Sequence, residues 1–131
     1  MSALAKGDKL PGLAIPAVGQ AEIEAYLVAS GDDNPLHRDR DIALSVGLAD
    51  IPIPGMMIMA YTAECVRQWS RCRRLTGLSL RFVRPALVGG GLAIEGKVVD
   101  VAADAATLRL TATQDGRIAA IAEARLLVDE T

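Results

Sequence analysis

Ile51-Pro52-Ile53-Pro54-Gly55-Met56-Met57-Ile58-Met59-Ala60-Tyr61-Thr62-Ala63-Glu64 runs uncharged to its last residue. The residue before a proline is pushed out of the helical region, so 51–54 is extended and rigid. From Gly55 to about Ser70 the pattern predicts a helix whose first half is apolar on every side. A helix without a polar face is buried in the middle of its protein. Its second half turns polar at Glu64, Arg67 and Gln68, so that end emerges towards water. On this reading Met56, Met57 and Met59 fill the core, where flexible thioethers fit irregular gaps.

After Gly77 the period changes to two. Leu78, Leu80 and Phe82 share one face, while Ser79, Arg81 and Val83 share the other. Strand patterns follow at 91–101, 105–114 and 117–128, with Asp115-Gly116 a hairpin turn between the last two. In the other direction, Asp39 suits the cap of a short helix running through Ile42, Ala43 and Val46 to Gly47. Residues 19–29 place Ile23, Tyr26 and Leu27 at helical spacing, and Glu22 and Glu24 sit where the helix dipole favours acids. Residues 8–18 read as an opening strand broken by Pro11 and Pro16. One buried helix followed by a run of antiparallel strands predicts an α+β domain, a curved sheet wrapped around a long central helix. Residues 1–131 are expected to form a single domain. An open sheet leaves edges to cover, and pairing with a second copy predicts a homodimer or higher homo-oligomer.

The chain has 131 residues, is 51% hydrophobic and carries a net charge of only -2, which argues against disorder. Tyr26, Tyr61, Trp69 and Phe82 are its aromatic residues, so it lacks the aromatic platforms amid basic residues that single-stranded nucleic acid needs. No segment reads as a signal peptide or a membrane span. Cys65 and Cys72 are expected on one helix two turns apart, about 10 Å, beyond the roughly 7 Å between Cα atoms that a disulfide allows. Reduced thiols in a cytoplasmic protein are the expectation.

The chemistry is concentrated in Tyr26-Leu27-Val28-Ala29-Ser30-Gly31-Asp32-Asp33-Asn34-Pro35-Leu36-His37. His37 is the only histidine and follows Asp32 by five positions across a turn. Imidazole is the side chain suited to proton transfer near neutral pH. Gly31 can take a positive φ and turn the chain out of the preceding helix. Asn34, held extended by Pro35, can satisfy loop backbone groups with its amide. The result is a stiff loop holding a carboxylate and an imidazole over one small volume, where they can activate a water and supply a proton.

The run from Tyr26 to Ala43, with Gly31, Asp32, Asn34, Pro35, Leu36 and His37 in register, resembles the signature of the MaoC-like (R)-specific enoyl-CoA hydratases and acyl dehydratases. Ile53-Pro54-Gly55-Met56 is similar to the start of their central helix, and Arg81-Phe82-Val83-Arg84-Pro85 with Gly89 to their Arg-Phe-x-x-Pro strand and turn. The resemblance implies a hot-dog fold and reversible addition of water to a trans-2-enoyl thioester, giving an (R)-3-hydroxyacyl thioester. It implies that Asp32 and His37 hold the water that attacks C3 and return a proton to C2, without fixing which is acid and which is base. The backbone N–H groups of Gly55 and Met56 would receive the thioester oxygen as it becomes enolate-like. No cofactor or metal is implied; coenzyme A or an acyl carrier protein is part of the substrate. Pro54 departs from the His or Gln that many members carry, which removes any side-chain bond to the carbonyl from that position.

Alternatives stand beside this reading. Hot-dog thioesterases often use a carboxylate on the central helix, here Glu64, although that residue also marks where the helix leaves the core. A catalytically weak subunit of a hetero-oligomeric dehydratase is a third possibility. Arg67, Arg71, Arg73, Arg74, Arg81 and Arg84 either balance the helix end and decorate solvated strands, or dock the phosphates of coenzyme A or an acidic carrier protein. Arg81 and Arg84 are the candidates for contacting the carrier's phosphates.

Overall fold

A computed structural model describes residues 3–129. In chain order it contains β1 (Leu13–Ile15), α1 (Gln20–Ser30), a 3-10 turn (Pro35–His37), α2 (Arg40–Ser45), α3 (Gly55–Arg67), β2 (Cys72–Phe82), β3 (Leu92–Ala102), β4 (Ala105–Gln114) and β5 (Arg117–Val128). The strands make one antiparallel sheet of order β1-β3-β4-β5-β2. This is the expected hot-dog arrangement, with α3 packed against β2, β3 and β4.

Local chemistry accounts for the elements. Asp115 and Gly116 both take positive φ, 52° and 75°, as the tight β4–β5 hairpin requires. Alternate residues Ile94, Val98, Leu108, Leu110, Ala122, Ala124 and Leu126 are buried on the inner face. Against it α3 turns Met57, Ile58, Thr62, Cys65 and Val66. Thr62 is buried, and its hydroxyl donates to the Ile58 carbonyl at 2.9 Å. Unbonded, it would cost about 1–3 kcal/mol. Asp39 caps α2, accepting from the N–H groups of Asp41 and Ile42. No described helix is long and apolar enough to cross a membrane.

The sequence reading needs four corrections. The helix ends at Arg67 rather than near Ser70, and Cys72 lies in β2; both cysteines are free thiols. The strand begins at Cys72 rather than after Gly77, because register shifts between Cys72 and Arg74 and between Leu75 and Gly77 break the alternation there. The opening strand shrinks to Leu13–Ile15, just short of Pro16. Finally, α3 is not buried all round: Met57 is core, but Met59 is half-buried and Met56 is 61% exposed. The sheet covers one side of the helix, and its other side faces away from the sheet, with Met56, Ala60 and Glu64 exposed.

Candidate active site

The loop after α1 is built from side chains that bond the backbone two residues on. The Asp32 N–H donates to Ser30 Oγ at 3.3 Å, the Asn34 N–H to Asp32 Oδ1 at 3.0 Å, and the Leu36 N–H to Asn34 Oδ1 at 3.0 Å. Such turns fix a loop without help from a sheet or helix. Gly31 closes α1 at φ 75°, its N–H donating to the Leu27 carbonyl; this conformation favours glycine. Pro35 starts the 3-10 turn that ends at His37. The far end of the loop is tied back to α1. Gln20 Nε2 donates to the His37 carbonyl at 3.1 Å, and Arg38 Nε pairs with Glu24 Oε2 at 2.9 Å. The Glu24 carboxylate raises the Arg38 pKa further above its ordinary value.

Asp32 and His37 are both half-buried on this loop. One Asp32 oxygen is occupied by the Asn34 N–H. His37 Nδ1 lies 2.9 Å from the Pro52 carbonyl oxygen. A carbonyl can only accept, so Nδ1 carries the proton, and the neutral ring presents the Nε2 lone pair.

Pro52 is held in turn. Ile53 N–H donates to the Ala86 carbonyl and Val88 N–H to the Ile51 carbonyl, at 2.7 and 2.9 Å. Backbone groups alternate in direction along an extended chain, so Pro52 turns its carbonyl away from 86–88 and onto His37. Its missing N–H falls on the same side, where no ladder bond is lost. Gln114 clips this arrangement to the sheet, accepting from the Leu87 N–H and donating to the Leu87 carbonyl at 2.8 and 2.9 Å.

Two residues beyond Ile53, α3 begins. The Pro54 carbonyl accepts from Met57 and Ile58, so the N–H groups of Gly55 and Met56 precede the helical ladder. Gly55 opens on a cleft of about 360 Å³ bordered by Ile53, Ile58, Phe82, Arg84 and Pro85. The Phe82 ring lies over Gly55: a Cβ there would stand 2.8 Å from Phe82 Cζ. Phe82 is itself 51% exposed.

Of the candidates read from sequence, Gly31, Asn34 and Pro35 shape the loop that carries Asp32 and His37, and Gly55 and Met56 supply the first amides of α3. Arg84 borders the Gly55 cleft, whereas Arg81 does not. Glu64 is exposed, accepts from Gln68 Nε2 at 3.1 Å and lies nine residues along α3 from Gly55, outside that cleft. The Pro52 carbonyl, Gln20, Glu24 and the Phe82 ring were not singled out as parts of this site. Only Phe82 had a signal in the sequence, its place in the Arg81–Pro85 run. Among the described residues no group of His, Cys, Asp and Glu is placed to hold a metal ion.

A family model for the MaoC-like domain matches residues 7–119. An (R)-hydratase from A. caviae involved in PHA biosynthesis is 26% identical in sequence and superposes with a TM-score of 0.88, over 98% of this chain and 100% of its own. The R-hydratase PhaJ1 from Pseudomonas aeruginosa (21% identity, TM-score 0.85, covering 98% and 84%) shares the fold. So does a chain of the ChsH1-ChsH2 complex from Mycobacterium tuberculosis (20% identity, TM-score 0.87, covering 95% and 98%). No curated protein matches in sequence.

Proposed function

Given that the chain belongs to the MaoC-like domain family, we propose that it is an (R)-specific enoyl-thioester hydratase, in reverse a 3-hydroxyacyl-thioester dehydratase, working as a cytoplasmic homodimer. The observation that carries this is the His37–Pro52 bond at the end of a loop locked by Ser30, Asp32 and Asn34. It supplies what general base chemistry needs: an imidazole of fixed tautomer and a carboxylate held on the same rigid segment.

In the proposed reaction Asp32 and His37 accept hydrogen bonds from one water. The water oxygen bonds to C3 of the enoyl group as one of its protons passes to the pair. The C2–C3 π electrons shift towards the thioester carbonyl, whose oxygen takes up charge against the Gly55 and Met56 N–H groups at the start of α3. The pair then delivers a proton to C2, so water is added with no net change in the enzyme. No cofactor takes part in this scheme. The carrier is coenzyme A or an acyl carrier protein.

Incubation with crotonyl-CoA tests the assignment. Loss of the conjugated enoyl absorbance with formation of (R)-3-hydroxybutyryl-CoA is expected. Release of free coenzyme A thiol instead, abolished by Glu64→Gln, would establish the thioesterase alternative.

A further inference from the structure

We propose that the cleft between the C-terminal end of α3 and the start of β2 binds the phosphates of coenzyme A, through Arg67, Arg73 and Arg74. This rests on the hydratase reading and names the carrier for it. The cleft, about 430 Å³, is bordered by Ala63, Arg67, Cys72, Arg73, Arg74 and Leu75, with no carboxylate among them. The ion pairs among the described residues are Arg38–Glu24, Arg40–Asp50 and Arg125–Glu123, so none of these three arginines is paired with a described carboxylate. Guanidinium groups suit phosphate because their forked N–H groups bond two oxygens at once.

The backbone explains how neighbouring residues come to share one cleft. Side chains of consecutive strand residues point to opposite faces, yet Arg73 and Arg74 both border it. They sit at the register shift between Cys72 and Arg74, and a bulge re-aims side chains in this way. Arg67 reaches the same place from α3, where its charge acts on the Cys72 thiol.

The position relative to Gly55 selects the ligand. α3 runs against β2 with Gly55 beside Phe82 at one end and Ala63 and Arg67 beside Cys72–Leu75 at the other. The two clefts are the ends of one helix–strand seam. At 1.5 Å per residue the helix from Gly55 to Arg67 spans about 18 Å, which an extended pantetheine arm bridges. A thioester held at Gly55 would have its phosphates within reach of the arginines. Three arginines bordering one cleft match the diphosphate and 3′-phosphate of coenzyme A better than the single phosphodiester of a carrier protein.

The test compares kcat/KM for crotonyl-CoA, crotonyl-3′-dephospho-CoA, crotonyl-carrier protein and crotonyl-pantetheine, which lacks phosphate. The enzymes are wild type, R67A, the R73A/R74A pair and R84A, each checked for an unchanged melting temperature. Charge-assisted bonds of this kind predict at least a roughly tenfold rise in KM for crotonyl-CoA in R73A/R74A, a smaller rise in R67A, and unchanged kinetics on crotonyl-pantetheine. Equal losses on both thioesters, no loss on either, loss confined to R84A, or a preference for the carrier protein would overturn the proposal. Calorimetric binding of coenzyme A itself needs no turnover. Arginine-dependent binding without hydration would sink the hydratase reading and leave the site standing, whereas turnover with arginine-independent binding would do the reverse.

Discussion

The His37 ring is anchored through Nδ1 to the carbonyl oxygen of Pro52, 2.9 Å away and fifteen residues further along the chain. That contact joins the loop after α1 to the segment that leads into α3. It leaves Nε2 as the ring's proton acceptor in the neutral form. Because the anchor is a backbone carbonyl, a side chain keeping a donor near the Nδ1 position should preserve the architecture and lose the chemistry. His37→Asn is such a change. Its melting temperature should stay close to that of the wild type, while kcat for enoyl hydration falls by about 10²–10⁴, the usual contribution of a positioned acid or base.

The loop's own bonds separate structure from charge. Asp32→Asn keeps an Oδ1 acceptor for the Asn34 N–H and removes the negative charge. It should therefore be stable and inactive. Asp32→Ala and Asn34→Ala each delete a side-chain acceptor for a loop N–H, and urea denaturation should show each less stable by about 1 kcal/mol. Asp32→Asn destabilised as much as Asp32→Ala would mean that the charge, not the turn, holds the loop.

Gly55 offers a clean way to remove one amide. It is the first residue of α3 after Pro54, whose ψ of 133° already suits a following proline. Proline is tolerated at the first helical position, so Gly55→Pro should keep the helix and delete the N–H. Gly55→Ala is the steric control, since both add a Cβ that must displace the half-exposed Phe82 ring. Loss of one oxyanion donor predicts kcat lower by about 10²–10³ in the proline variant than in the alanine variant. Equal rates in the two would remove the Gly55 amide from the mechanism.

Burial holds the Cys65 thiol above its ordinary range. Below that range the thiol is protonated in both folded and unfolded chains, and its contribution to stability is fully present. As pH rises through it, the unfolded chain ionises first and the folded state loses stability. The melting temperature should therefore fall less steeply with alkaline pH in Cys65→Ala than in the wild type. Tyr61 and Cys72, also raised by burial, are common to both proteins and cancel in the comparison. Parallel pH curves would show that Cys65 ionises freely in the fold.

The parts of this molecule legible in its sequence are those where one residue type serves one local need. Asp39 caps α2, Gly31 turns out of α1, Asn34 bonds a loop N–H, and Asp115-Gly116 makes a hairpin. Each of these is settled within a few residues. What stayed hidden depends on partners far along the chain or on backbone atoms. The bulges of β2 exist through its pairing with β5 and erase the period-two pattern over 72–77. The Pro52 carbonyl has no side-chain signature, and its direction follows from the pairing of 51–53 with 86–88. Apolar composition placed the whole circumference of α3's first half in the core, yet it does not say which side the sheet covers, and Met56 came out exposed.

The most direct test of the loop's catalytic role is the initial rate of enoyl absorbance loss from crotonyl-CoA, measured for the wild type beside Asp32→Asn and His37→Asn at matched, verified folding. The account predicts turnover by the wild type and at least a hundredfold loss in each variant, roughly the low end expected for a general acid or base. Turnover surviving in either variant at near wild-type rate, or absent from the wild type with short and long enoyl thioesters alike, would contradict it.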